Sequence, residues 1–229
     1  MLTKLCFFYI IYKKISLLGD IMTKKERYKL IKEMLDKDYS DAVCSLEYKK
    51  PHELLISTIL AAQCTDKRVN QVTKSLYKKY PDIESFANAD YDELSEDIKS
   101  TGFFRNKAKN IILCAKKIVS DFNGEVPNDF DSLTSLAGVG RKTAGVVLGD
   151  AFSNPHLVID THAKRLAKRM GFTKQTDPYK VELDLAKVVP NEDKSFFCHQ
   201  LVFHGRAICT ARKPKCDICP INKFCAKNI

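Results

Sequence analysis

The chain has 229 residues, with 38 Lys plus Arg against 28 Asp plus Glu and a formal net charge of +10. That length accommodates one large domain or two modest ones with real cores, so no disulfide or metal staple is needed for size alone. The dispersed basic excess favours polyanionic partners, chiefly nucleic acid, and nine cysteines, odd in number and unevenly placed, argue against a secreted disulfide scaffold.

Leu5 to Tyr12 is apolar between lysines but far below the roughly 20 residues needed to span a bilayer, and no small-residue cleavage site follows it. Residues 1–21 therefore read as an N-terminal extension, with Met22 an alternative start; neither export nor membrane attachment is expected. From Glu26 onward the pattern is helical almost throughout. Leu30, Ile31, Met34 and Leu35 have helical spacing, and Pro51 suits the first turn of a helix with Leu54, Leu55, Thr58 and Ile59 on its inner face. Asp66 is placed to cap a helix striped by Val69, Val72, Leu76 and Tyr77 that stops before Pro81. Short pieces follow through Phe86 and Leu94. After Thr101-Gly102 a longer helix carries Ala108, Ile111, Ile112, Ala115, Ile118, Val119 and Phe122, and Asn123-Gly124 ends it.

Beyond Pro127 the apolar pattern resumes at Phe130, Leu133 and Leu136, breaks at Gly138-Val139-Gly140, and restarts with Thr143, Ala144, Val147 and Leu148. Two helices joined by a turn too tight for side chains at both glycines, with Val139 plugging the small core, make a helix-turn-helix packing unit. Its successive backbone N–H groups, next to a helix start and beside Arg141, form a concavity for a phosphate. The glycines follow no buried strand, so a nucleotide-fold fingerprint does not apply. Lys142 stands in the first turn after the glycines, where its amine is suited either to contact a phosphate or to attack an electrophilic sugar carbon. Asp160 follows the apolar Leu157-Val158-Ile159 and opens a helix containing Ala163, Leu166, Ala167 and Met170. It is an N-cap, or a carboxylate held to stabilise positive charge developing on a substrate. Further helices are expected over Val181–Val188 and Phe196–Ile208.

Cys6, Cys44, Cys64, Cys114 and Cys198 are scattered through apolar patterns, but Cys209, Cys216, Cys219 and Cys225 fall within seventeen residues with spacing C-x6-C-x2-C-x5-C. Four thiolates accept structural zinc or an iron–sulfur cluster, and spacing alone leaves both open. Between the first two lies a basic loop containing Arg212, Lys213 and Lys215.

The runs LAGVGRKTAGVV, VIDTH at Val158 to His162, AAQCTD at Ala61 to Asp66 and the cysteine cluster, in this order from about Met22 to the end, together resemble the endonuclease III family of helix-hairpin-helix DNA glycosylases. The resemblance implies an all-α fold of two helical lobes with a DNA-binding cleft between them. Residues 22–43 plus 155–229 would form the iron–sulfur lobe, and residues 44–154 the other, with the hairpin at 133–148. It implies a [4Fe–4S] cluster on the four cysteines, Lys142 as the nucleophile attacking C1′, and Asp160 as its acidic partner. The activity implied is excision of oxidised or ring-saturated pyrimidines from duplex DNA, followed by β-elimination at the abasic site. Gln63 would plug the vacancy left by a flipped nucleotide and Phe103, where an aliphatic residue is usual, would be the wedge. Gly138, Gly140, Arg141, Arg212, Lys213 and Lys215 would meet phosphates. Ala137 replaces the family's usual proline and Gly145 its usual asparagine, which bears on substrate detail. Related adenine glycosylases lack the lysine and carry a further C-terminal domain, so Lys142 and the short tail after Cys225 favour the pyrimidine enzyme. A mismatch-directed glycosylase, a noncatalytic DNA-binding module and a redox sensor are the alternatives. A monomer is expected, cytoplasmic and nucleoid-associated if prokaryotic, with damaged double-stranded DNA as partner and no membrane.

Overall fold

A computed structural model describes residues 22–229, so the expectations for residues 1–21 lie outside the described residues. Among them the structure is all-α, without a β-strand, and the chain divides into two compact units, residues 43–158 and residues 22–42 together with 159–229.

The continuous unit contains α2 (Pro51–Leu60), α3 (Asp66–Lys79), α4 (Ile83–Ala87), α5 (Tyr91–Asp97), α6 (Phe104–Asp121), α7 (Phe130–Thr134) and α8 (Arg141–Ala151). The expected one-sided burial of α2 is corrected: every residue from Glu53 to Leu60 is buried. A helix covered all round sits at the centre of its unit, and α2 packs on α3, α6 and α8. Thr65, not Asp66, caps α3, its side chain accepting from the Arg68 amide; a hydroxyl one position earlier has the extended backbone that a cap needs. Asn123 and Gly124 take the left-handed conformation that ends α6, whose apolar stripe lies against α4 and α5. Val119, expected inside, is instead exposed, while Lys107 and Cys114 are buried. Phe86 stacks on Tyr80 at 5.0 Å between ring centroids and meets Tyr77 edge-on, filling the far end of this core.

The second unit contains α1 (Lys24–Asp38), α9 (Thr161–Arg169), α10 (Pro178–Ala186) and α11 (Lys194–Ala207), with α11 packed on both α1 and α9. Thr23 and Glu26 form a capping box that starts α1. Tyr28, Phe172 and Phe197 meet edge-to-face, and the Tyr28 hydroxyl donates to Asp193 at 2.7 Å, so its polar end is paired where its ring is buried. Gly205 lets α11 approach α9: a Cβ there would stand 2.6 Å from His162 Nδ1 and 3.0 Å from an Arg165 nitrogen. After α11 the chain continues without a long helix to Ile229.

Candidate functional site

The hairpin is built from α7, a turn through Gly138, and α8. Val139 is 7% exposed and plugs the turn, flanked by the exposed Gly138 and Gly140. The two glycines differ. Gly138 has φ +76°, and a Cβ on it would come within 2.9 Å of Asn110 Cβ, so both backbone and packing require glycine. Gly140 has φ −96° and ψ 177°, with nothing within 4 Å of an added Cβ. The expectation of a tight turn at both positions is therefore corrected for Gly140, which is extended and open toward solvent. As the N-cap of α8 it brings no side-chain cap to the helix's first amides, whereas Asp129 caps α7 through the Ser132 amide. Uncapped first-turn N–H groups beside an open backbone are the elements of an anion site.

Arg141 lies over the Phe130 ring at 4.8 Å, and that ring stacks on His156 at 5.8 Å, which orients the guanidinium. Lys142 is exposed on the first turn of α8, and no hydrogen bond or ion pair holds its amine among the described residues. Gly145, one turn further, is buried, with Val158 and His156 within 3.3 and 3.6 Å of where its Cβ would be. A longer side chain there would have to displace them.

In the same unit Gln63 and Phe103 are both exposed and both left-handed, with φ of 56° and 50°. Phe103 is 64% exposed. For residues other than glycine or asparagine this conformation costs about 1–2 kcal/mol, and holding a large apolar side chain out in water forgoes about as much again. Asn123 shares the conformation as a helix terminator, whereas Gln63 lies in the turn after α2 and Phe103 at the N-cap of α6.

In the other unit Asp160 is the N-cap of α9, accepting from the Ala163 amide at 2.7 Å, which fixes its carboxylate at the helix start. His162 faces its helix neighbours, with Nδ1 3.2 Å from Arg165 and against Gly205.

All four clustered cysteines line one cavity, together with Arg169, Met170, His204, Ile208 and Ile221. Four thiols on the wall of one cavity with apolar neighbours are the donor set that an iron–sulfur group takes. Burial pushes the Cys219 thiol up to about 11 and raises that of Cys225 as well, so occupancy by metal must draw off their protons. Two residues that sequence reading passed over organise these walls. Arg169 donates to Cys209 Sγ at 3.3 Å and to the carbonyls of Thr210 and Ala211, and the fully buried His204 sits with Nε2 3.5 Å from Cys219 Sγ and Nδ1 3.1 Å from the Tyr39 hydroxyl. Arg165, one turn before Arg169, binds the Cys209 carbonyl. The i, i+4 pair of arginines on an otherwise amphipathic helix was the available signal.

The basic loop is pinned at both ends, by Arg169 and by the Lys215 amide on Ile208 O, with Thr210 closing it onto the Lys213 carbonyl. Arg212 and Lys213 are exposed. Lys215 is exposed too, but its ammonium donates to Ala207 O at the end of α11.

These features can be set beside known proteins. Residues 56–191 match the model of the HhH-GPD superfamily of base excision DNA repair proteins, and residues 209–225 match the iron-sulfur binding domain of endonuclease III. The chain is 50% identical over 211 residues to endonuclease III of Synechocystis sp., covering 92% of this chain and 96% of that one. It is 46% identical over 188 residues to endonuclease III of Bacillus subtilis, covering 82% and 86%. A solved non-covalent endonuclease III–DNA complex superposes with a TM-score of 0.84 at 42% identity, over 90% of this chain and 97% of that one. A trapped endonuclease III–DNA covalent intermediate, an estranged-adenine complex, matches with the same figures. The chain thus belongs to the HhH-GPD superfamily of base excision DNA repair proteins and, within it, to the endonuclease III family. It is a DNA glycosylase and abasic-site lyase, and its cysteine segment is a [4Fe–4S] cluster-binding region.

Proposed function

We propose that Lys142 is the nucleophile and Asp160 its acidic partner in excising oxidised or ring-saturated pyrimidines from duplex DNA. Such a base is out of reach inside the stack, so its nucleotide must be extruded. Lys142 Nζ attacks C1′ as the glycosidic bond breaks, and the base leaves with the bonding electrons and takes up a proton. Opening of the sugar gives a protonated imine, loss of a C2′ proton expels the 3′ phosphate, and water then releases the amine. Asp160 stabilises the cationic character at C1′ during cleavage. The observation that carries this reading is the exposed amine of Lys142, unpaired beside uncapped α8 amides. The trapped covalent intermediate solved for a 42% identical endonuclease III supports a covalent route.

Gln63 and Phe103 are read as the plug and wedge that hold the gap in the duplex. Gly138, Gly140, Arg141, Arg212 and Lys213 are read as phosphate contacts that position it, with Lys215 contributing charge more than direct reach. Cys209, Cys216, Cys219 and Cys225 are read as the ligands of the [4Fe–4S] cluster, which when bound organises the basic loop rather than taking part in bond cleavage. This reading implies a monomer acting in the cytoplasm, nucleoid-associated if the source is prokaryotic.

The test is borohydride trapping on duplexes containing dihydrouracil, thymine glycol or an abasic site. Wild-type protein gives a covalent adduct, and Lys142→Ala gives none; trapping and strand cleavage preserved in that variant would overturn the assignment. An adduct with the abasic site alone, without excision of either damaged pyrimidine, would instead favour a mismatch-directed specificity.

A further inference from the structure

Lys107 is an inward-facing lysine in the first turns of α6 and is 5% exposed. Its ammonium donates to two backbone carbonyls, Leu60 O and Thr101 O, each at 2.8 Å. Leu60 is the last residue of α2, three residues before Gln63, and Thr101 closes a 3-10 turn two residues before Phe103. One buried cation therefore joins the two chain segments that lead to the two exposed left-handed residues.

The choice of lysine has a physical reason. The last carbonyls of a helix lack intrahelical partners, and a neutral donor or solvent satisfies them at low cost. A buried ammonium is the costlier solution, and burial does lower its proton affinity here, an effect that the nearby Cys64 only reduces. What the cation adds is a strong, short, two-ended link. Among the described residues the backbone–backbone hydrogen bonds near the two loops are local turns, such as Cys64 N to Ala61 O and Gly102 N to Lys99 O, while the 3-10 turn also packs against α3. Neither turn ties one loop to the other.

We infer that Lys107 is a positioning residue that holds the Gln63 and Phe103 loops as one rigid wedge, so that plug and wedge enter the duplex together. The inference rests on the proposed plug and wedge roles of those residues. It confers on Lys107 a duty toward paired lesions only: where no partner base has to be separated, a rigid pair of probes gains nothing.

Lys107→Met keeps the length and apolar stem of the side chain and removes both donors. Single-turnover excision is measured with dihydrouracil opposite guanine and opposite a tetrahydrofuran spacer, which leaves no base to be displaced. The variant loses at least tenfold on the paired lesion and less than threefold opposite the spacer. An equal loss on both substrates, or none on either, overturns the inference. A double-mutant cycle of Gln63→Ala and Phe103→Ala in the wild-type background gives a second reading that survives a folding failure of Lys107→Met. The two losses combine non-multiplicatively, by more than about fivefold, if the loops act as a unit; multiplicative losses overturn it. Should neither single variant change excision of the paired lesion, it is the plug and wedge reading that fails, whatever Lys107 does.

Discussion

Asp160 is a helix cap to which a second, catalytic duty is assigned by proposal. Its carboxylate caps α9 by accepting from the Ala163 amide, and the same fixed oxygen pair is proposed to face developing charge on the sugar. The duties separate by substitution. Asparagine also caps helices well, so Asp160→Asn is expected to keep the unfolding midpoint nearly unchanged while excision falls by orders of magnitude and DNA binding persists. Asp160→Ala loses the cap as well, at about 1 kcal/mol, or roughly 2–4 °C in a protein of this size. Calorimetry beside single-turnover excision checks both; excision equal to wild type in Asp160→Asn would remove Asp160 from the chemistry. Lys142 and Asp160 stood out in the sequence because each sits at a helix start beside a distinctive local pattern. Lys107 and Arg169 did not. A lysine on an apolar stripe and an arginine on a basic helix face look solvated until the carbonyls and the sulfur they reach are placed by distant segments.

The hairpin shows the same contrast one level up. Leu133, Leu136, Val139, Ala144, Val147 and Leu148 are buried as their spacing predicts, yet only Gly138 is held to glycine by its conformation. Gly138→Ala is expected to cost about 1–3 kcal/mol and to weaken DNA binding by distorting the turn. Gly140→Ser should do the opposite to stability, because its hydroxyl supplies the cap that α8 lacks, leaving the midpoint unchanged or higher. It should nonetheless weaken DNA affinity about tenfold, by occupying amides proposed for a phosphate; thermal melts paired with fluorescence anisotropy separate the two effects. At the other end of the hairpin, hydrogen bonding from the Ser132 amide and side chain holds the Asp129 carboxyl below the usual carboxylate range. A lowered folded-state value means that this cap stabilises fully above about pH 4, the unfolded carboxylate range, and is lost as pH falls through the folded value. The difference in melting temperature between wild type and Asp129→Ala should therefore shrink as pH is lowered from 6 to 3.

For the molecule as a whole, the two units have different sources of order. The unit of residues 43–158 has a continuous apolar core around α2 and α6, whereas residues 209–229 of the other are coil, short turns and four cysteines with few buried apolar side chains. Iron removal with a strong chelator is accordingly expected to abolish hydrogen-exchange protection after Cys209 and loosen α9 and α11, with α4 and α6 keeping theirs. Iron and sulfide assays should find about four of each per chain beforehand. Equal loss of protection in both units on chelation would contradict this division.

What the sequence by itself determined were the features that repeat locally: helical periodicity, caps such as Asp160, the Asn123-Gly124 stop, the glycine hairpin and the close-set cysteines. These depend on interactions within a few residues, so a linear pattern records them. Tertiary structure alone decided that α2 is buried on every side, that Gly140 is open where Gly138 is not, and that Lys107 spans two loops while Arg169 grips the cysteine segment. Each of those depends on which groups tertiary packing brings to a residue: Lys107 reaches a carbonyl 47 residues away as well as one six away, and Arg169 reaches a sulfur 40 residues away.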